Sequence, residues 1–218
     1  PEEEELERVL PVVREAVRLG VPLSVDTYKP AVMQAVLDLG ADILNDIWAL
    51  RQEGAAALAA RHPSCGICLM HMHREPQSMQ LEPMRGDAVP QVLDFLQERA
   101  AHLRQQGVAA ARIVFDPGIG FGKTVEQNFR LLACQQALLA AGYPVLAGWS
   151  RKSSLAAMTG RSLASVATLD PQARMVPSVA AALLAVERGA RIVRVHDVRE
   201  TAQALAVFAA MQAGVDPG

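Results

Sequence analysis

Carboxylates, histidines and cations recur along this sequence just after short apolar runs. Asp26-Thr27, Asn45-Asp46, His71-Met72-His73, Asp116-Pro117-Gly118, Ser150-Arg151-Lys152 and Arg194-Val195-His196-Asp197 each close such a run. The acids Asp26 and Asp116 and the cations Lys152 and Arg194 together suit a molecule with a donor-rich part and an anionic part. A carboxylate accepts two donors, and an amide such as Asn45 serves donors and acceptors alike. Arg194 and His196 alternate along one expected strand, so they point the same way and could share an anion. Ser150-Arg151-Lys152-Ser153 precedes an expected helix, where backbone N–H groups, a hydroxyl and two cations favour an anion. Each group alone has a plain structural use, as a helix cap or as an ion pair such as Arg194 with Asp197.

Three local patterns suggest other chemistries and fail on spacing or context. Asp116-Pro-Gly-Ile-Gly-Phe-Gly-Lys-Thr124 resembles a phosphate loop, but the residue five before Gly122 is Pro117 rather than glycine. Its glycines still imply a tight turn that admits a flat ligand. His71 and His73 share a strand face, as metal ligands can, yet His62 and His102 fall in helix or loop patterns and leave the set short. Hydrogen bonds to neighbouring loops suit the two histidines better. Cys65-Gly-Ile-Cys68 has redox spacing but leads into an apolar strand, not a helix N-terminus, which makes Cys68 core packing.

The elements that would carry these groups alternate. Helices are expected over residues 2–19, 30–39, 53–61, 88–105, 125–141, 153–159, 172–188 and 198–213. Strands are expected over 22–26, 42–47, 66–71, 112–116, 144–148 and 192–196, and a Met-, Pro- and Gln-rich loop runs to 86. Strand–helix alternation predicts a parallel sheet with right-handed crossovers. In such folds function sits at the carboxyl ends of strands, which is where the polar groups fall. Periodicity alone leaves an open doubly wound sheet and a (β/α)8 barrel equally possible.

The 218 residues, 51% of them hydrophobic, can bury one sizeable core, and no linker or repeat interrupts them, so residues 1–218 read as a single domain. Twenty-one basic against twenty-three acidic residues and 4% aromatics argue against nucleic acid as a partner. No apolar run approaches bilayer length, so no membrane partner is expected. Three cysteines make no disulfide framework and point to a reducing, cytoplasmic setting.

The strand-end motifs resemble, in order, those of the dihydropteroate synthases. These are Ser24-Val-Asp-Thr27, Leu44-Asn-Asp-Ile47, Leu69-Met-His71, Asp116-Pro-Gly-Ile-Gly-Phe-Gly-Lys123, Ser150-Arg-Lys152 and Arg194-Val-His-Asp197. The resemblance implies a (β/α)8 TIM barrel, here incomplete with about six parallel strands. It implies a homodimeric transferase of folate biosynthesis that uses Mg2+ and is a target of sulfonamides, which compete with 4-aminobenzoate. The reaction would join 6-hydroxymethyl-7,8-dihydropterin pyrophosphate to 4-aminobenzoate, giving 7,8-dihydropteroate and pyrophosphate. Carried over, Asp26, Asn45, Asp116 and Lys152 would recognise the pterin, and Ile47, Met70 and Gly120 would wall its ring. Arg194 and His196, with the adjacent Ser150-Arg151-Lys152 turn, would bind pyrophosphate. Phe121, Ser150 and Lys152 would line the aminobenzoate site, and Lys152, Asp116 and Arg194 would carry the chemistry.

Two family motifs, an Asn-Val-Thr-Pro-Asp-Ser-Phe loop and a Glu-Ser-Thr-Arg-Pro-Gly loop, have no counterpart here. The first carries a metal-binding Asn, so no metal ligand is expected in this chain. The chain is accordingly expected to be truncated at its N-terminus and impaired in turnover. Pro177 is expected to kink a helix of the family's dimer contact. A methyltetrahydrofolate-type methyl transferase barrel is the alternative within pterin chemistry, although it would need neither the Ser150-Arg-Lys152 turn nor the Arg194/His196 pair. A non-catalytic pterin-binding subunit is the alternative outside catalysis.

Overall fold

A computed structural model describes residues 1–74, 82–162 and 171–214, and for residues 160–162 and 171–172 the backbone only. Residues 75–81 of the loop expected to reach 86 lie outside it. In chain order the elements are α1 (Glu2–Ala16), β1 (Ser24–Asp26), α2 (Pro30–Asp38), β2 (Ile43–Asp46), α3 (Ala55–Arg61), β3 (Gly66–Met70), α4 (Ala88–Gln105) and β4 (Ile113–Asp116). They continue with α5 (Val125–Ala133), α6 (Gln135–Leu139), β5 (Leu146–Ala147), α7 (Ser153–Ser162), α8 (Met175–Glu187), β6 (Ile192–Val193) and α9 (Val198–Gly214).

The chain gathers into two compact units. One comprises residues 1–72, 90–118 and 141–143; the other comprises 73–89, 119–140 and 144–218. In the first, β1 to β4 form a parallel sheet in sequence order. Val25, Leu44, Ile67, Leu69, Ile113 and Phe115 are its buried apolar residues. Such strands are apolar nearly throughout because helices cover parallel sheets. Val32, Met33 and Val36 of α2 and Leu96 and Leu103 of α4 are fully buried. Phe115 stacks on Tyr143 with ring centroids 4.4 Å apart. In the second unit β5 and β6 pair in parallel, Leu146 opposite Ile192 and Ala147 opposite Val193. Trp149, just beyond β5, is buried there against Phe129 of α5.

Several boundaries differ from the periodic reading, for local reasons. The apolar pattern over 125–141 holds two helices, because Cys134 leaves helical geometry at φ −102° and ψ 22°. The helix expected from 172 opens as a 3-10 turn over Pro171–Arg174, and α8 starts at Met175. Pro177 is therefore its third residue, where a missing N–H costs no helical hydrogen bond. Pro11 sits well inside α1. Strands β5 and β6 are two residues each.

Candidate active site

Register sets the first cluster. Asp26 lies opposite Asn45 on adjacent strands, and Met70 lies opposite Asp116. The Asn45 Nδ2 donates to Asp26 Oδ2 at 3.2 Å. Asn45 is only 6% exposed, and its Oδ1 is buried with no hydrogen-bond partner. A buried acceptor without a donor costs free energy comparable to a lost hydrogen bond, so this atom fits an incoming donor. Asp116 Oδ1 accepts from the Gly118 N–H at 2.7 Å, and the Asp116 carbonyl accepts from the His71 N–H at 3.0 Å. The loop after β4 runs so close to β3 that a Cβ on Gly118 would stand 1.8 Å from the His71 carbonyl oxygen. Glycine at φ +67° is what lets Asp116 end its strand in that position. Ile47 follows the pair on β2 and is half-buried, and Met70 is buried at the end of β3.

Other polar groups of this unit take structural partners. Thr27 is buried and donates to Glu5 Oε1 at 2.6 Å. His71 sets its ring edge-on to Phe95, 5.1 Å between centroids. The Arg112 guanidinium donates to the Cys65 and Ala59 carbonyls and to the Cys65 Sγ, while Cys65 and Cys68 are both buried free thiols.

The second cluster is a cleft of about 560 Å³ lined by Ser150, Arg151, Lys152, Arg194 and His196 among others. The β5–β6 ladder extends into it through the Arg194 N–H on the Ala147 carbonyl, 3.1 Å. Ser150 Oγ accepts the His196 N–H at 3.0 Å and lies 2.9 Å from His196 Nδ1. Ser150 thus locks the two strand ends together. Arg151, which lines the same cleft, also forms an ion pair. Its guanidinium grips Asp197 in a bidentate pair at 2.6 and 3.2 Å, and this ion pair holds the Asp197 carboxyl below its usual range. The backbone of Arg151, left-handed at φ 59°, is held by Ser178 Oγ at 2.8 Å and by Arg174 Nη1 at 2.9 Å. Asp197, the alternative partner for Arg194, is thereby engaged by Arg151.

Lys152 Nζ lies 4.2 Å from the centre of the Phe121 ring, a cation–π contact. Gly120, at φ +82°, leaves room beside it: a Cβ there would come 3.3 Å from Lys152 Cδ. Asn128 on α5 was invisible in the sequence motifs, yet it organises this corner. It is 1% exposed, accepts the Gly120 N–H on Oδ1 at 2.9 Å and donates from Nδ2 to Ser154 Oγ at 2.9 Å. One carboxamide thus ties the Gly120-Phe121 loop to the start of α7, two residues after Lys152. Its signal was a lone amide on the apolar face of a helix. The Lys123 Nζ donates to the carbonyl of Phe121 at 3.2 Å. Burial, followed by the charges of Arg74 and Lys123, lowers the pKa of His73. Among the described residues, no three His, Cys, Asp or Glu side chains gather closely enough to hold a metal ion. No helix among them is long and apolar enough to cross a membrane.

Residues 1–196 match the family described as pterin binding enzyme. The chain is 47% identical over 211 residues to the dihydropteroate synthase of Neisseria meningitidis serogroup C, spanning 96% of this chain and 72% of that one. The chain belongs to the dihydropteroate synthase family. Solved structures of that family agree. The Burkholderia cenocepacia dihydropteroate synthase complexed with 7,8-dihydropteroate superposes with a TM-score of 0.89 at 51% identity, covering 98% of this chain and 76% of that one. The Xanthomonas albilineans dihydropteroate synthase with 4-aminobenzoic acid does so at 0.87 and 45% identity, covering 98% and 73%. Membership places the chain in the (β/α)8 barrel class, of which the described residues carry six parallel strands.

Proposed function

We propose that this chain acts as a dihydropteroate synthase of folate biosynthesis, with the pterin recognised from the four-stranded unit and pyrophosphate from the β5–β6 cleft. The observation that carries the reading is the Asn45 carboxamide, buried with Oδ1 unpartnered and Nδ2 on Asp26. A pterin offers a flat edge of ring N–H and amino donors beside a carbonyl acceptor. Asp26, Asn45 and Asp116 match that edge, and Ile47 and Met70 of the same unit wall the ring. The product complex of the Burkholderia relative and the 4-aminobenzoic acid complex of the Xanthomonas relative support the two substrates.

In the reaction the bond between the pterin methylene carbon and the pyrophosphate oxygen breaks, and the electron pair leaves with pyrophosphate. The aminobenzoate nitrogen forms the new bond to that carbon and then loses a proton. The chain's part is positioning and charge stabilisation. Arg194 and His196 would meet the charge growing on the leaving pyrophosphate. Lys152 and Phe121, with Ser150, would line the aminobenzoate position, where a sulfonamide would compete. Mg2+ is proposed as a counter-ion neutralising pyrophosphate; the described residues form no cage for it, and each step here is carried by the chain's own groups. A methyltetrahydrofolate-type transferase would not need the cationic cleft. We further propose a homodimer in the cytoplasm, with exposed Val176 and Leu184 on α8 and Val207 on α9 available for contact.

Asp116→Asn tests the reading. It should weaken binding of 6-hydroxymethyl-7,8-dihydropterin by roughly 1–3 kcal/mol, the scale of a lost charge-assisted bond. Unchanged affinity by calorimetry would remove Asp116 from the pterin site.

A further inference from the structure

The turn after β2 is held in a conformation that its own sequence does not favour. Ala49 and Leu50 are consecutive residues in the left-handed region, at φ 53° and 55°. Neither is glycine, asparagine or aspartate, the residues that tolerate this region. Both are buried, at 0% and 1% exposure. Left-handed backbone at ordinary side chains persists only where surrounding structure over-determines it, and it concentrates at functional sites.

Two charged groups over-determine it here. Asp46 Oδ1 accepts the Trp48 N–H at 2.7 Å, and its Oδ2 accepts the Leu50 N–H at 2.9 Å. The Asp46 carbonyl accepts the Ala49 N–H at 3.0 Å, so three consecutive amides of the turn that could otherwise turn outward close on one residue. From the other side Arg99 of α4 reaches the carbonyls of the same left-handed pair. Its Nε donates to Ala49 O at 2.9 Å and its Nη2 to Leu50 O at 3.0 Å. The guanidinium fork matches two neighbouring carbonyls, a pattern that lysine cannot reproduce.

What this turn carries is Ile47 and, one residue before Asp46, Asn45. Successive strand side chains point to opposite faces, so Asn45 can face a ligand while Asp46 anchors the turn from the opposite face. Asp46 is completely buried as a carboxylate, a costly placement if stability were the sole purpose.

We propose that Asp46 and Arg99 are positioning residues for the pterin site: together they clamp the strained 46–50 turn and so fix Asn45 and Ile47 against the ring. The proposal rests on the pterin reading of Asn45. Neither residue touches substrate, and both act through the turn.

The experiment measures two affinities on each protein by calorimetry, one for 6-hydroxymethyl-7,8-dihydropterin and one for inorganic pyrophosphate. Thermal unfolding confirms that each variant is folded. Arg99→Ala should weaken pterin binding about tenfold, roughly 1.4 kcal/mol, and leave pyrophosphate binding within twofold. Arg99→Lys should show the same split at about threefold, and it carries the test if Arg99→Ala does not fold. A merely structural role would leave both affinities unchanged in a folded variant or lower both together, and either result overturns the clamp. Wild-type protein that binds no pterin, or an Asp116→Asn variant that binds it normally, overturns the pterin reading and the clamp with it. Failure of the clamp alone is recognised by wild-type binding, loss in Asp116→Asn and no loss in the Arg99 variants.

Discussion

Burial pushes the Asp46 carboxyl up to about 6 from its ordinary 3.8, even though the Trp48 and Leu50 N–H groups and the Arg51 charge pull it down. The direction has a consequence for stability. Because the folded protein holds this proton more tightly than the unfolded chain does, stability from this group is fully present below about pH 4 and falls as pH rises through about 6. A shift of about two units corresponds to roughly 3 kcal/mol. Urea unfolding of the wild type at a series of pH values should show that falling limb, and Asp46→Asn should lack it. Parallel stability curves for the two proteins between pH 4 and pH 7 would contradict the assignment. The cost of a charged Asp46 near neutral pH is then offset by what its two oxygens do for the turn. A neutral carboxamide there offers one acceptor to two N–H groups, so it cannot hold both.

At the scale of elements, side chains on helices aim the loops. Thr124 and Gln127 form a reciprocal capping box at the start of α5, the Ser/Thr-x-x-Glu/Gln pattern that the sequence displays openly. Gln127 then reaches the carbonyls of Met84 and Gly86. The next residue, Asn128, joins the Gly120 N–H to Ser154. Asn128→Ala should cost about 1–3 kcal/mol in urea unfolding, since it removes the buried carboxamide and both of its hydrogen bonds. Asn128→Asp keeps the acceptor and should recover part of that loss; equal destabilisation by both variants would argue against the Gly120 bond as the cause. The extent of α4 was readable residue for residue because its apolar periodicity is strong and Asp87 caps it through the Val89 N–H. The run over 125–141 was misread as one helix because periodicity barely registers a single non-helical residue such as Cys134. Two-residue strands β5 and β6 carry too little pattern to be bounded from sequence, although their polar ends were legible.

At the scale of the whole molecule, the proposed recognition divides between units. The acids and amide proposed for the pterin lie on the four-stranded sheet, and the cations and histidine of the cleft lie on the β5–β6 unit. The two binding tasks should therefore be separable. Arg194→Ala should weaken inorganic pyrophosphate binding by roughly 1.5–3 kcal/mol, the range for bonds to charged groups, and should leave 6-hydroxymethyl-7,8-dihydropterin binding unchanged. Asp116→Asn should do the reverse. Calorimetry in which either variant loses both ligands equally would show that the tasks are not divided this way. Light scattering that reports a monomer at all concentrations would remove the proposed homodimer.

Strand-end chemistry was legible from the sequence because it is local. A parallel strand is a short apolar run, its end is marked by the first polar residues, and in this fold class those ends gather the function. Asp26, Asn45, Asp116, Lys152, Arg194 and His196 are all singled out in the sequence that way. Partner choice was not local. Arg151 reads as part of an anion-binding turn, and in the fold its Nε and Nη2 meet Asp197, forty-six residues away. Arg99 belongs to no sequence motif, and the fold brings it to carbonyls about fifty residues back. Sequence by itself determined which chemical groups stand at the strand ends, since periodicity and turn residues are properties of neighbours in the chain. Only the tertiary structure decided that Arg151 meets Asp197 and that Arg99 grips the 49–50 carbonyls, since hydrogen-bond partners are neighbours in space.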